Sequence, residues 1–411
     1  MRIAQVTALA AMVLGGVVAC GVTAPPSGSP SADPVIVPIP DSTGAASAVP
    51  SAGPDDVTLL ELADEMEVAS ISAEFSAGVL EHASTGSAVL LSAGLDEPEA
   101  APDLYRVLPA SGQPELIWRN PHRDHSLVNI GGEFNRVAFV DMPITGEIAW
   151  NLWFIPDEGA DPILLDRHPG DPAVPTYVPS FSVYYPTIAW TAFDIGPLGP
   201  VSQLLYAQWP TWEPRLIAES PAAEAEFWFP SVLGFSVVYS KLIYSEDGSS
   251  DERHVYRVQL GADGPLPPMR LDASGMATMP LMNQYGILWK EADPGFNMLN
   301  WGRMFTWDPE SETADLLDTS PQEYVNFPSI GERFAAWWGE DATAFSVYDL
   351  ERDAVRGILR YPADRQQLVL RPHIAGSLLV WLYVDHRASP EISEIRYSWM
   401  PSAGGDRMDP P

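Results

Sequence analysis

From about Val57 onward the chain alternates apolar and polar residues in short runs, broken by Pro, Gly and Asp. A two-residue period marks half-buried strands, not helices. One apolar run recurs and ends each time in a large residue. Its copies are Ala88-Val89-Leu90-Leu91, Val137-Ala138-Phe139, Ile188-Ala189-Trp190, Val237-Val238-Tyr239, Ile287-Leu288-Trp289, Ala335-Ala336-Trp337 and Leu379-Val380-Trp381. Their last residues are spaced by 48, 51, 49, 50, 48 and 44 positions. After a loop comes a second alternating run, as in Leu104-Tyr105-Arg106-Val107 or Val347-Tyr348-Asp349-Leu350. A tight turn and a third run follow, as in Glu115-Leu116-Ile117-Trp118. Ahead of the core run sits a short proline-bearing strand: Phe229-Pro230-Ser231-Val232, Met279-Pro280-Leu281-Met282, Phe327-Pro328-Ser329-Ile330 and Arg371-Pro372-His373-Ile374.

Seven repeats of four strands, at a period near 49 residues, predict an all-β fold: a seven-bladed β-propeller of four-stranded blades over residues 57–411. The repeats occupy that whole segment and leave no room in it for a separate catalytic domain. The seventh repeat lacks its outermost strand. Val57-Thr58-Leu59-Leu60-Glu61-Leu62 has the length and alternation to supply it, so the ring is expected to be closed by an N-terminal strand that removes the exposed sheet edges. The Pro-Ser-Ile/Val start, the aromatic-ended second strand and Tyr348-Asp349-Leu350 resemble the TolB-like and WD40-like seven-bladed propellers of bacterial envelopes. That resemblance implies the fold. It does not imply one function, because the architecture hosts scaffolds, binding proteins, lyases and hydrolases alike.

The N-terminus predicts an address. Residues 1–19 carry Arg2 and then an apolar run, the pattern of a signal peptide and too short for a comfortable permanent span. The run ends in Val17-Val18-Ala19-Cys20-Gly21, which resembles the lipobox of bacterial lipoproteins. The resemblance implies that Cys20 is lipidated and begins the mature chain. Residues 20–56 are then a lipidated Cys followed by a Pro/Ala/Ser/Gly-rich linker, read as a disordered tether. The expected location is extracytoplasmic, with membrane attachment through the lipid alone.

Composition narrows the partners. There are 55 acidic and 22 basic residues, for a formal charge of −33. No basic stripe is available for nucleic acid, and an anionic lipid surface would repel the chain. One cysteine rules out intramolecular disulfides. Forty-one prolines fit short strands and turns better than long helices.

The candidate chemistry lies in loops. Acidic residues follow the aromatic-ended strand in most repeats: Asp141, Asp194, Glu291 and Asp293, Glu340 and Asp341, and Asp385. At one mouth of a propeller such a ring has the oxygen chemistry of a Ca²⁺ site, or attracts a cationic ligand. The competing reading, solvated loop acids in a very acidic chain, is preferred, and no resident cofactor is expected. His122 and His125, with His168 and His386, form a second set that converging loops could turn into a transition-metal site. Polar loop residues are the plainer reading. No Gly-x-Ser-x-Gly elbow, P-loop or dinucleotide fingerprint is present. Most tryptophans are expected to wedge blades together. Trp209 and Trp212, in a Trp-Pro-Thr-Trp turn, are open to exposure and sugar stacking. The combined expectation is a monomeric propeller that acts as a binding or scaffold module for an envelope protein, peptide or glycan rather than as an enzyme. The alternative is a metal-dependent polysaccharide lyase or hydrolase using one face.

Overall fold

The computed structural model describes residues 68–71, 79–93, 102–122, 124–144, 149–168, 170–175, 177–245, 251–292, 302–308, 312–317, 326–338, 344–351, 354–360, 367–386 and 392–400. All of them belong to the compact unit Leu59–Pro411. Among them there are strands and turns but no helix, and so no helix long and apolar enough to cross a membrane.

After a two-residue strand β1 (Ala69–Ser70), the chain builds its blades in order. Blade one is β2 (Val79–Ser84), β3 (Val89–Ala93), β4 (Asp103–Val107) and β5 (Pro114–Trp118). Blade two is β6 (His125–Glu133), β7 (Arg136–Pro143), β8 (Trp150–Ile155) and β9 (Ile163–His168). Blade three is β10 (Phe181–Tyr184), β11 (Thr187–Gly196), β12 (Gly199–Gln208) and β13 (Arg215–Pro221). Blade four is β14 (Ala225–Leu233), β15 (Ser236–Ile243) and β16 (Glu252–Gly261), its outer edge shared by β17 (Gly264–Pro265) and β18 (Met269–Arg270). Blade five is β19 (Ala277–Asn283), β20 (Gly286–Ala292), β21 (Gly302–Asp308) and β22 (Thr313–Leu316). Blade six is β23 (Asn326–Ile330), β24 (Phe334–Trp338), β25 (Ala344–Asp349) and β26 (Ala354–Arg360). Blade seven is β27 (Gln367–Ala375), β28 (Leu378–Asp385) and β29 (Ile392–Trp399).

Every blade is an antiparallel meander, and the first strand of each contacts the first strand of the next around a closed ring. This is a seven-bladed β-propeller. The seven recurrent positions Leu91, Phe139, Trp190, Tyr239, Trp289, Trp337 and Trp381 are all buried, on the second strands as the repeat predicts. Burial then falls toward the rim. Every residue of β3 is buried, whereas β22 is exposed throughout.

No blade has a core of its own. The seven hydrophobic clusters each join residues of two neighbouring blades, one cluster per seam. The sequence motif ahead of the core strand has a matching cause. Ser231 Oγ accepts from Met282 N of the next blade at 2.9 Å, and Ser329 Oγ accepts from Ile374 N at 3.0 Å. Ser182 Oγ does the same for Val232 N at 3.1 Å. These hydroxyls, which in Ser231 and Ser329 follow the proline, stitch neighbouring inner strands together. The residue before the proline takes positive φ in Phe229, Met279 and Arg371, and Asn129 does so in blade two. Each sits at a register shift between the first and second strands. A left-handed bulky residue costs about 1–2 kcal/mol, so these bulges are held by the surrounding ring.

The ring is closed by an N-terminal strand, but through a different segment from the expected one. Val57–Leu62 lies outside the described residues. The strand beside β29 is β1, with Ala69 opposite Tyr397 and Ser70 opposite Arg396. Ile71 continues the edge, donating its N–H to Ile395 O at 2.9 Å, and its buried side chain joins the seam between blades seven and one.

Candidate functional site

Antiparallel order sorts the loops into two faces. Loops after the second strand and the blade-to-blade connections share one face. The two hairpin turns of every blade share the other. All described acidic and histidine candidates lie on the first face, spread over several blades.

Asp141 is fully buried at the end of β7. His125 Nδ1 donates to its Oδ1 at 2.9 Å, and Asn151 Nδ2 donates to Oδ2 at 3.3 Å. The exposed His122 ring stacks on His125 with centroids 4.5 Å apart. His168 is buried and its Nδ1 accepts from Gly170 N at 3.1 Å. Asp194 is exposed on β11, and His386 is exposed after β28. Glu291 accepts from Trp289 Nε1 at 3.1 Å, and Asp385 accepts from Tyr383 OH at 3.1 Å. Asp293, Glu340 and Asp341 lie outside the described residues. The structure therefore brings His122, His125 and Asp141 together; His168 lies at the end of β9 on the same blade, Asp194 on blade three, Glu291 on blade five, and Asp385 and His386 on blade seven. Among the described residues, no group of three His, Cys, Asp or Glu side chains stands where it could hold a metal ion.

Some of these acids have a structural reason to be there. A buried indole or phenol needs an acceptor for its polar hydrogen. Glu291 and Asp385 supply one within their own strands, and Asp166 accepts from Trp190 Nε1 at 2.8 Å across a blade boundary. Burial raises the Asp166 carboxyl above its ordinary range, and nearby Asp194 adds to the rise.

Several groups carried no motif. His254 is buried between two carboxylates, with Nδ1 at 3.0 Å from Asp272 and Nε2 at 2.9 Å from Glu252. Lys290 is fully buried, and burial pushes its amine down to about 7. Glu226 accepts from Trp228 Nε1 at 3.0 Å, and burial raises its carboxyl.

The opposite face holds a different kind of site. Where blades two and three meet, their hairpin turns enclose an open groove of about 360 Å³ lined by Arg136, Pro156, Asp157, Tyr185, Trp209, Pro210 and Trp212. That volume is in the range of small-ligand sites. Trp209 is 59% exposed and Tyr185 is 41% exposed. Their ring centroids lie 6.5 Å apart with the planes inclined at 55°. The Arg136 guanidinium sits over the Tyr185 ring, 4.3 Å from its centroid. Arg136 Nε is buried and has no hydrogen-bond partner among the described residues. Glu133 accepts from Tyr185 N at 2.6 Å and fixes the turn from below. The Tyr185-Pro186 and Trp209-Pro210 bonds are cis.

The two tryptophans of the Trp-Pro-Thr-Trp turn divide their work. Trp212, at φ 53°, folds back and is buried against Phe154 with centroids 4.8 Å apart. Trp209 faces solvent. Tyr185 and Arg136 joined the site without a motif. Only the density of prolines and aromatics in the blade-three turns, Tyr184-Tyr185-Pro186 and Trp209-Pro210, signalled it.

No family model matches the chain, and no curated protein matches it. Solved structures do. A prolyl endopeptidase superposes with TM-score 0.54 at 13% identity, covering 82% of this chain and 52% of that one. A puromycin hydrolase gives 0.53 at 13% identity, covering 83% of this chain and 56% of that one. This chain thus spans about half the length of those two enzymes. An oligogalacturonate lyase from Vibrio parahaemolyticus gives 0.49 at 11% identity, covering 82% of this chain and 97% of that one. At these identities, the two likenesses above 0.5 establish a shared propeller fold.

Proposed function

We propose that the protein is an extracytoplasmic binding module, held to a membrane by lipid on Cys20 and raised from it by residues 20–56. In this reading the propeller works as a monomer and captures an envelope protein, peptide or glycan. Two acyl chains at one cysteine suffice for stable anchoring. The observation that carries the binding role is the groove between blades two and three, with Trp209 exposed beside Tyr185. Large aromatics in a concave setting are the usual anchors of ligands and partners. On the loop face, by contrast, Glu291, Asp385 and Asp141 already serve an indole, a phenol and a histidine.

One observation favours a second reading. His125 is oriented by a buried carboxylate and stacks on an exposed histidine. A base oriented in this way is the starting arrangement for acid–base catalysis, as a lyase or hydrolase would need.

The test is an array of peptides and neutral oligosaccharides probed with the wild-type chain, Trp209→Ala and His125→Ala. Binding lost in Trp209→Ala and kept in His125→Ala supports the module. Turnover of an arrayed compound, lost in His125→Ala, overturns it. Thermal melts in EDTA, Ca²⁺, and Mn²⁺ or Zn²⁺ give a parallel check. A metal at 100 times its dissociation constant adds about 2.7 kcal/mol, so the module reading expects coincident melts. For the anchor, incorporation of a labelled fatty acid should disappear in Cys20→Ser.

A further inference from the structure

We infer that the groove between blades two and three takes a proline-rich, extended peptide. This rests on the binding-module reading and names its ligand class.

The aromatic walls come first. The Tyr185 and Trp209 planes are inclined at 55° and do not form one flat platform. A pyranose stacks flat on a single ring. A pyrrolidine ring, compact and saturated, wedges between two. Aromatic-lined grooves use this shape to take the preformed polyproline helix, whose ordering entropy is already low.

The polar atoms point the same way. Arg136 and the Trp209 indole offer only donors. Arg136 lines the groove, and its buried Nε has no acceptor among the described residues. The acidic lining group is Asp157, one of whose oxygens already accepts from Glu158 N at 3.3 Å. A donor-rich groove suits a ligand that brings acceptors and few donors. A proline-rich backbone is such a ligand, since each proline keeps its carbonyl and lacks an N–H. A sugar brings hydroxyl donors as well, and for these the side chains of the lining offer only Asp157 and the Tyr185 hydroxyl.

Charge supplies the third argument. The chain carries a formal charge of −33. That field repels a polyanionic glycan and is indifferent to a neutral peptide. Arg136 is the local exception, a cationic donor in the lining of the groove.

The experiment is isothermal titration of the full-length chain with three probes. They are a neutral peptide of repeated Ala-Pro-Pro, the same length of Ala-Gly-Gly, and a neutral β-linked oligosaccharide. The expected result is saturable binding of the Ala-Pro-Pro peptide alone. Trp209→Ala should weaken it by at least about tenfold, as loss of a central aromatic anchor does. Arg136→Gln should weaken it less. Trp209 is exposed and Arg136 half-buried, and coincident melts of the variants and wild type exclude misfolding as the cause. No saturable binding of the proline peptide overturns the inference, and so does equal binding of the Ala-Gly-Gly peptide. Oligosaccharide binding that depends on Trp209 would overturn the ligand class while leaving the binding module standing. Binding of the proline peptide unchanged in Trp209→Ala would move the site elsewhere and overturn the inference as well.

Discussion

The seam between blades two and three and the seam between blades seven and one solve the same packing problem with different chemistry. The first is aromatic. Trp150, Phe154, Trp190 and Trp212 fill it, and all are buried. The second is aliphatic at its core, with Ile71, Val89, Leu91, Leu378, Val380 and Ile395. It adds a polar latch between inner strands. Arg371 Nη1 donates to both Glu81 oxygens at 2.7 and 2.8 Å, His82 Nε2 donates to Arg371 O at 2.9 Å, and Ser84 N donates to His373 Nδ1 at 3.0 Å. The hairpin turns at Gly86 and Gly376 touch backbone to backbone. Blades two and three are consecutive in the chain. Blades seven and one are brought together from opposite ends. Apolar surface attracts without fixing register, whereas directional bonds fix it. The two–three seam has directional bonds as well, from Trp190 Nε1 to Asp166 and from Tyr185 N to Glu133; the joint closed across nearly 290 residues is distinguished by setting charged and imidazole side chains of its inner strands against each other.

The largest effect that would break this comparison is expected at the aromatic seam. Trp190→Ala removes a fully buried indole and leaves Asp166 without that donor. It should cost about 3–5 kcal/mol, read as a fall in the urea midpoint. A loss below about 1 kcal/mol would mean that the seam collapses around the gap and that aromatic packing does not define it.

Acid should separate the seams next. Burial first of all holds His82 and His373 neutral, pushing them from 6.5 down to about 3 and about 4. Between about pH 6.5 and pH 4 the unfolded chain binds protons that the folded one refuses. Stability present above pH 6.5 is therefore lost as pH falls, by up to about 1.4 kcal/mol per unit for each histidine. Asp166 and Glu133 sit at the other seam, and burial raises both. Their sign is opposite: a raised carboxyl contributes stability below its unfolded pKa and loses it as pH rises through the folded one. Acidification should loosen the seven–one seam and tighten the two–three seam. Amide exchange, corrected for intrinsic rates, should show protection falling in β2 and β27 before β7 and β11. Equal loss at both seams would sink the idea. His82→Gln with His373→Gln should flatten the response.

These contrasts also show what the chain declares in advance. The blades were readable because strand alternation and a repeated large residue report burial directly, as at Trp289, Trp337 and Trp381. The Pro-Ser stitch was visible as a motif, though its cause needed the next blade's N–H. Closure was expected from the shortened seventh repeat, while its residues were not, since Ala69–Ser70 is too short to carry a pattern. The groove was half visible. Trp209 and Trp212 stood out in a turn, but two tryptophans three residues apart say nothing of which one folds inward. Arg136 and Tyr185 meet them only because two blades pack together. The histidine latch was invisible for the same reason, as His82 and His373 adjoin only across the ring closure.

A smaller effect sharpens the latch. Gly376 has φ 52°, and a Cβ there would lie 3.0 Å from Gly86 Cα. Gly376→Ala should therefore cost about 1–2 kcal/mol through the left-handed backbone alone, with the contact adding to it. The loss should concentrate at the seven–one seam. A melt like that of wild type would mean that the two turns can part without consequence.

The smallest expected effect is the most informative about the groove. Trp212 and Trp209 belong to one turn, yet the first is buried at 7% exposure and the second lies 59% exposed. If both indoles braced the blade, truncating either would destabilise it. Burial says otherwise: Trp212→Ala should cost about 3–5 kcal/mol, whereas Trp209→Ala should stay within about 0.5 kcal/mol of wild type, as exposed substitutions do. Paired urea titrations of the two variants decide it. A loss above about 1 kcal/mol in Trp209→Ala would make that indole a brace for Pro210 and the turn, and the groove would lose its claim to be a ligand surface. An unchanged midpoint leaves an apolar ring held in water, inside a concave seam and beside an unsatisfied arginine donor, whose contribution is not to the fold.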